Sequence, residues 1–207
     1  MPVKVALSGV ASAEPASQTP KGTRTAARIL DAATTVLSRD GFGGATLGRV
    51  AEEAGIDKRG VLYHFGTRET LLVRVVQTVG ERTAANIEAE FDGTVQDTGR
   101  AAGIDVLWAG ITSEPQLLRA YFALVGGSAE SSEVAAALRE LKNTYVKLIT
   151  RQFHAGPDDG SRRERDPATA PLVALALLRG LLLEWIETGD GPTIDAGLDQ
   201  LGTLARG

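Results

Sequence analysis

The stretch from Thr46 to Arg68, TLGRVAEEAGIDKRGVLYHFGTR, constrains the fold more than any other part of the chain. Its punctuation predicts two short helices joined by a tight turn. Thr46 is placed to cap the first, with Leu47, Val50, Ala51 and Ala54 as an apolar face. Gly55 falls where a helix ends in a left-handed residue, a conformation glycine adopts without steric cost. Asp57 follows as a cap for the second helix, its carboxylate accepting backbone N–H bonds. Val61, Leu62 and Phe65 are expected to face inward, and Lys58, Arg59, Tyr63 and His64 outward. This is the helix-turn-helix plan, in which the second helix enters the major groove of DNA.

Charge is distributed in keeping with that plan. The 207 residues carry a net charge of −4, which by itself disfavours polyanion binding. Residues 21–82, however, hold ten Lys/Arg and seven Asp/Glu, a balance of +3, whereas residues 83–207 hold eleven and eighteen, a balance of −7. A mildly basic front on an acidic back suits a protein with one DNA-facing end. The chain has no cysteine, so disulfides and thiolate metal sites are excluded. No run approaches the ~20 apolar residues of a membrane span. The opening MPVKVALSGVASA lacks the apolar run of a signal peptide, so a cytoplasmic location is expected.

The rest of the chain reads as helix after helix. Residues 1–20, rich in Ala, Ser and Pro, are expected to be a disordered arm. Thr23 to Asp40 repeats Ile29, Leu30, Ala33, Val36 and Leu37 along one stripe, Gly41 stops it, and Phe42 is expected to tuck under the following turn. Gly66 ends the third helix and Thr67 caps a fourth, with Leu71, Leu72, Val75, Val76 and Val79 inside. Further helices are expected over about 100–112, from Pro115 to Gly126-Gly127, from Ser131 to Phe153, after Pro167, and from about 193 to 206. The segment GPDDGSRRERD, Gly156 to Asp166, is a loop. Leu172, Val173, Leu175, Leu177, Leu178, Leu181, Leu182, Leu183, Trp185 and Ile186 surround most of the penultimate helix, which implies burial on several sides. The reading is all-α with about nine helices. It divides into an arm (1–20), a three-helix DNA-binding domain (21–66) and a helical ligand-binding and dimerisation domain (67–207).

Helix one with its ILDAA, the GFGGAT turn, VAEEAG, and then AGIDKRGVLYHFGTRETLL resemble the TetR family of transcriptional repressors, in matching order from about Lys21 to Val79. Two positions depart from the family pattern. Leu62 stands where the family usually has Tyr, two residues before the His of the HF pair. Arg59 stands where it has a small residue, with Gly60 one later. The resemblance implies that Thr46, Tyr63, His64 and Arg68 lie against the DNA backbone. Lys58 and Arg59 sit at the end of helix three that enters the groove first, where Lys or Arg donates to guanine O6 and N7. It further implies a palindromic double-stranded operator, a homodimer built from the C-terminal helices at about 167–206, and an unidentified small-molecule effector whose binding releases the repressor. Trp108, Tyr121, Phe122 and Tyr145 are the candidates to line its pocket.

An enzyme is the first rival. It has little support: two His, no phosphate loop after a strand, and only His154 near Asp158 and Asp159 to hint at a metal. No cofactor, metal or catalytic residue is expected. The second rival is a helical interaction module without DNA binding, favoured only by Leu62 and Gly60. An activator of the same family is a third, since operator position rather than sequence decides the sign of regulation.

Overall fold

A computed structural model describes residues 19–94, 102–154, 169–189 and 191–206. Among them are nine α-helices and no strand: α1 (Pro20–Gly44), α2 (Leu47–Glu53), α3 (Lys58–Phe65), α4 (Arg68–Thr94), α5 (Ala102–Thr112), α6 (Pro115–Gly127), α7 (Ser132–His154), α8 (Ala170–Thr188) and α9 (Gly191–Arg206), with one 3₁₀ turn at Ser128–Glu130. None of the described helices is long and apolar enough to cross a membrane. Residues 1–18, nearly all of the expected arm, and the loop at 156–166 lie outside the described residues.

The helix ends follow the sequence punctuation. Thr46 Oγ1 accepts from the Arg49 N–H at 3.3 Å, Asp57 Oδ1 from the Gly60 N–H at 2.6 Å, and Thr67 Oγ1 from the Thr70 N–H at 3.0 Å. Each satisfies an N–H that the helix cannot bond internally, a contribution of about 1 kcal/mol per cap. The first helix starts earlier than expected, at Pro20, because Thr19 caps it by accepting from the Gly22 N–H at 3.2 Å. Gly41, at φ 72° and ψ −174°, breaks its regularity, and a last turn carries Phe42 to Gly44. Gly55 takes φ 63°, the left-handed value that lets α2 turn sharply into α3.

The described residues pack as two compact units. The first comprises residues up to Ala85 together with Glu114–Leu141. Ile29, Val36, Leu37, Val50, Val61, Leu71, Leu72, Val75, Val76, Leu124 and Val134 are essentially sealed from solvent in it. Burial of each such side chain favours folding by about 1.5–3 kcal/mol before chain entropy is subtracted. α6 packs along α1. Gly127 lies against the Phe42 ring so closely that a Cβ would overlap it. Gln116 Nε2 donates to Thr35 Oγ1 at 2.7 Å. Arg82 of α4 bridges Asp31 of α1, at 2.9 Å, and Glu114 at the start of α6. Packing thus places α6 and the start of α7 in one compact unit with the helix-turn-helix.

The second unit comprises Asn86–Ser113 and Lys142–Gly207. α8 packs on α9, with Gly197 seated against Leu181. Trp108 and Trp185 meet edge to face, centroids 6.3 Å apart. Gly110 approaches the Ile87 backbone so closely that a Cβ would stand 2.7 Å from its Cα. α8 does not bury its whole circumference within the chain: Ala174, Leu175 and Leu182 are buried, but Leu172, Val173, Leu177 and Leu183 are 47%, 51%, 41% and 41% exposed. The apolar surplus read from the sequence is therefore an open stripe on one side of the helix.

Candidate nucleic-acid interface

α3 has only two turns, and its inner side is set by one pair. Val61 and Phe65, four residues apart, are buried. Lys58, Arg59, Leu62 and Tyr63 recur at the complementary spacing and point out, with Tyr63 62% and Leu62 39% exposed. The expectation that Leu62 faces inward is therefore corrected. At about 100° per residue, Leu62 follows Lys58 and Arg59 round the helix, not Val61. Among the described residues neither Lys58 nor Arg59 is paired with an acid. The face thus offers two unpaired cations, a phenol and an aliphatic side chain to whatever it meets.

His64 sits at the edge of this face. It is half-buried, its ring 5.2 Å from that of Tyr63 and 6.3 Å from that of Phe65. Its Nδ1 is buried without a hydrogen-bond partner. Thr46 is exposed at the start of α2, its side chain engaged in the cap.

The neighbouring charges are paired with one another within the chain. Asp40 accepts from Arg39 Nε at 3.0 Å and Arg49 Nη1 at 3.1 Å, and Arg39 Nη1 reaches Glu53 at 2.9 Å. The Arg39 hydrogen bond, with help from Arg49, keeps the Asp40 carboxyl below its ordinary pKa. These pairs are exposed and screened by solvent, but they tie the end of α1 to α2. Arg68 is committed more fully. Its Nε donates to the Ala45 carbonyl at 2.8 Å and its Nη2 to the Phe42 carbonyl at 2.5 Å, with the guanidinium 4.6 Å from the Phe42 ring centroid. Its side chain thus closes the end of α1.

The four candidate pocket residues fall in different units. Trp108 and Tyr145 belong to the second, and Tyr121 and Phe122 to the first. The latter two form an edge-to-face pair at 5.3 Å. Trp185, the ring partner of Trp108, sits in a run of leucines whose sequence reads simply as core. No group of three or more His, Cys, Asp or Glu among the described residues could hold a metal. The side chains of His154, Asp158 and Asp159 lie outside them.

A helix-turn-helix with capped ends and a cationic outer face is the arrangement of a DNA-binding regulator, and comparison with known proteins agrees. Residues 29–75 match the family model for bacterial regulatory proteins of the tetR family. An uncharacterized HTH-type transcriptional regulator, YfiR of Bacillus subtilis, is 31% identical over 142 residues, 68% of this chain and 69% of the relative. Among solved structures, a putative transcriptional regulator from Pseudomonas aeruginosa PAO1 superposes with TM-score 0.73 at 21% identity, over 90% of each chain. A transcriptional regulator from Rhodococcus sp. Rha1 superposes with TM-score 0.71 at 18% identity, over 87% of this chain and 95% of that one. The chain belongs to the TetR family of bacterial transcriptional regulators.

Proposed function

We propose that the protein is a ligand-responsive repressor that binds a palindromic operator as a homodimer and is released by a small molecule. The observation that carries the proposal is the outer face of α3, where unpaired Lys58 and Arg59 lie beside exposed Tyr63 on a helix fixed by the Asp57 cap. Lys58 and Arg59 read base edges, while Thr46, Tyr63, His64 and Arg68 contact phosphates. Arg68 also closes the end of α1 from the first turn of α4. In functional terms residues 21–66 carry the DNA contact and 67–207 carry effector binding and dimerisation.

The open stripe Leu172, Val173, Leu177 and Leu183 supports a homodimer through α8 and α9. A water-exposed row of large aliphatic side chains marks an interface, and an isologous one presents two α3 helices to two half-sites related by a two-fold axis. Effector release requires a ligand that prefers a conformer whose two recognition helices are wrongly spaced. α4, which belongs to both units, is the element through which such a preference would act. The half-exposed Trp108, paired with Trp185, suits an apolar or aromatic effector. Selection of bound duplexes from a randomised pool tests this reading. It predicts an enriched inverted repeat, whereas no enrichment, with or without added effectors, would overturn it.

A further inference from the structure

We propose that Leu62 determines operator sequence by packing on the 5-methyl group of a thymine in each half-site. The inference rests on the repressor reading above and deepens it. Leu62 is 39% exposed on the two-turn α3, on the same side as Lys58, Arg59 and Tyr63. It is centred on that face, one turn after Lys58 and beside Tyr63, while Val61 and Phe65 alone fill the inner side. An aliphatic group there has no phosphate to bond and no hydrogen-bond donor or acceptor to offer a base. In the major groove the apolar feature that distinguishes one base pair from the others is the thymine methyl. The cations beside it draw the face onto the duplex, so the leucine is desolvated against a base edge whatever the sequence. Only a methyl opposite it returns that contact as binding.

The geometry also sets the order of readout. Lys58 and Arg59 lead at the N-terminal end of α3, the end that enters the groove, so guanines are read first. The thymine lies about one helical turn of α3 further along, some 5 Å.

The test uses the selected operator with each thymine replaced singly by deoxyuridine, which removes the methyl and nothing else. Wild-type affinity should fall about fourfold per half-site at one thymine, the loss expected for one buried methyl group. Leu62→Ala should lose a similar factor on the normal operator and show no further loss on the deoxyuridine one. Leu62→Met, which keeps an apolar side chain, should retain the sensitivity. Leu62 is partly exposed and alanine favours helix, so the fold should survive, as equal melting temperatures would show. An enriched operator on which every deoxyuridine substitution affects wild type and Leu62→Ala equally would overturn this inference and leave the repressor reading standing. A pool that enriches no sequence would overturn both.

Discussion

Arg68 and Phe42 hold each other in two ways: the guanidinium donates to the Phe42 carbonyl at 2.5 Å and lies 4.6 Å from the centroid of its ring. With its second bond, to the Ala45 carbonyl, Arg68 closes the end of α1 from the first turn of α4. Arg68→Ala takes the charged donor from both carbonyls, of which that of Phe42 keeps the Ala45 N–H at 3.2 Å, and removes the cation from the ring. Each charge-assisted bond contributes about 1.5–3 kcal/mol. The variant should unfold at least 2 kcal/mol more easily, by about that order. Arg68→Lys, whose compact ammonium lacks the planar fork that spans the two carbonyls and covers the ring, should recover less than half. Thermal melts decide it: an Arg68→Ala protein as stable as wild type would contradict the structural role of these bonds.

Gly127 has the opposite relation to Phe42, one of exclusion. A Cβ at 127 would lie within the ring, so Gly127→Ala must displace Phe42 or α6. Overpacking of this kind costs about 1–3 kcal/mol. The neighbouring Gly126 has open space at its Cβ position, and Gly126→Ala should be neutral or stabilise by up to ~1 kcal/mol. Urea denaturation of the two variants should separate them in sign.

Asp40 and Glu133 give stability an acid limb. Arg39 chiefly lowers the Asp40 pKa from its ordinary 3.8. The Glu133 backbone N–H, then the Ser131 hydroxyl, lower Glu133 from 4.5. A pKa depressed in the folded state contributes stability that is complete above the unfolded value and is lost as pH falls through the folded one. Urea midpoints should therefore hold from about pH 7 to pH 5 as far as these groups are concerned, and decline below about pH 4. Asp40→Asn should flatten part of that decline. An unchanged acid limb in the variant would show that the Asp40 network does not act on stability.

The α8 stripe predicts the oligomeric state. Val173→Glu with Leu177→Glu places two carboxylates in an interface that must exclude water, a cost of several kcal/mol. The double variant should elute as a folded monomer and lose operator binding, while the helical circular dichroism stays near that of wild type. A wild-type monomer, or a dimer unaffected by the pair, would contradict the proposed interface.

Local chemistry was legible in the sequence. The caps at Thr46, Asp57 and Thr67 and the turn at Gly55 act over three or four residues, and each could be read from residue type and spacing. Leu62 was misplaced because leucine beside Val61 reads as core, although its spacing from Lys58 marks the outer side. The role of Arg68 depends on carbonyls more than twenty residues away, and the seat of Gly127 on Phe42 spans a longer separation still. The pairing of Trp108 with Trp185 is likewise a product of tertiary packing, which no local period records.

The central claim, that the outer face of α3 holds DNA, is tested most directly by the affinity of the purified protein for its selected duplex across salt. The comparison is wild type against Lys58→Ala/Arg59→Ala, with Lys147→Ala on α7 as a control. The account predicts wild-type affinity that falls steeply with salt. The double variant should bind at least about tenfold more weakly, with relaxed sequence preference and an unchanged melting temperature, and the control should bind like wild type. Equal affinity and equal salt dependence for all three would contradict it.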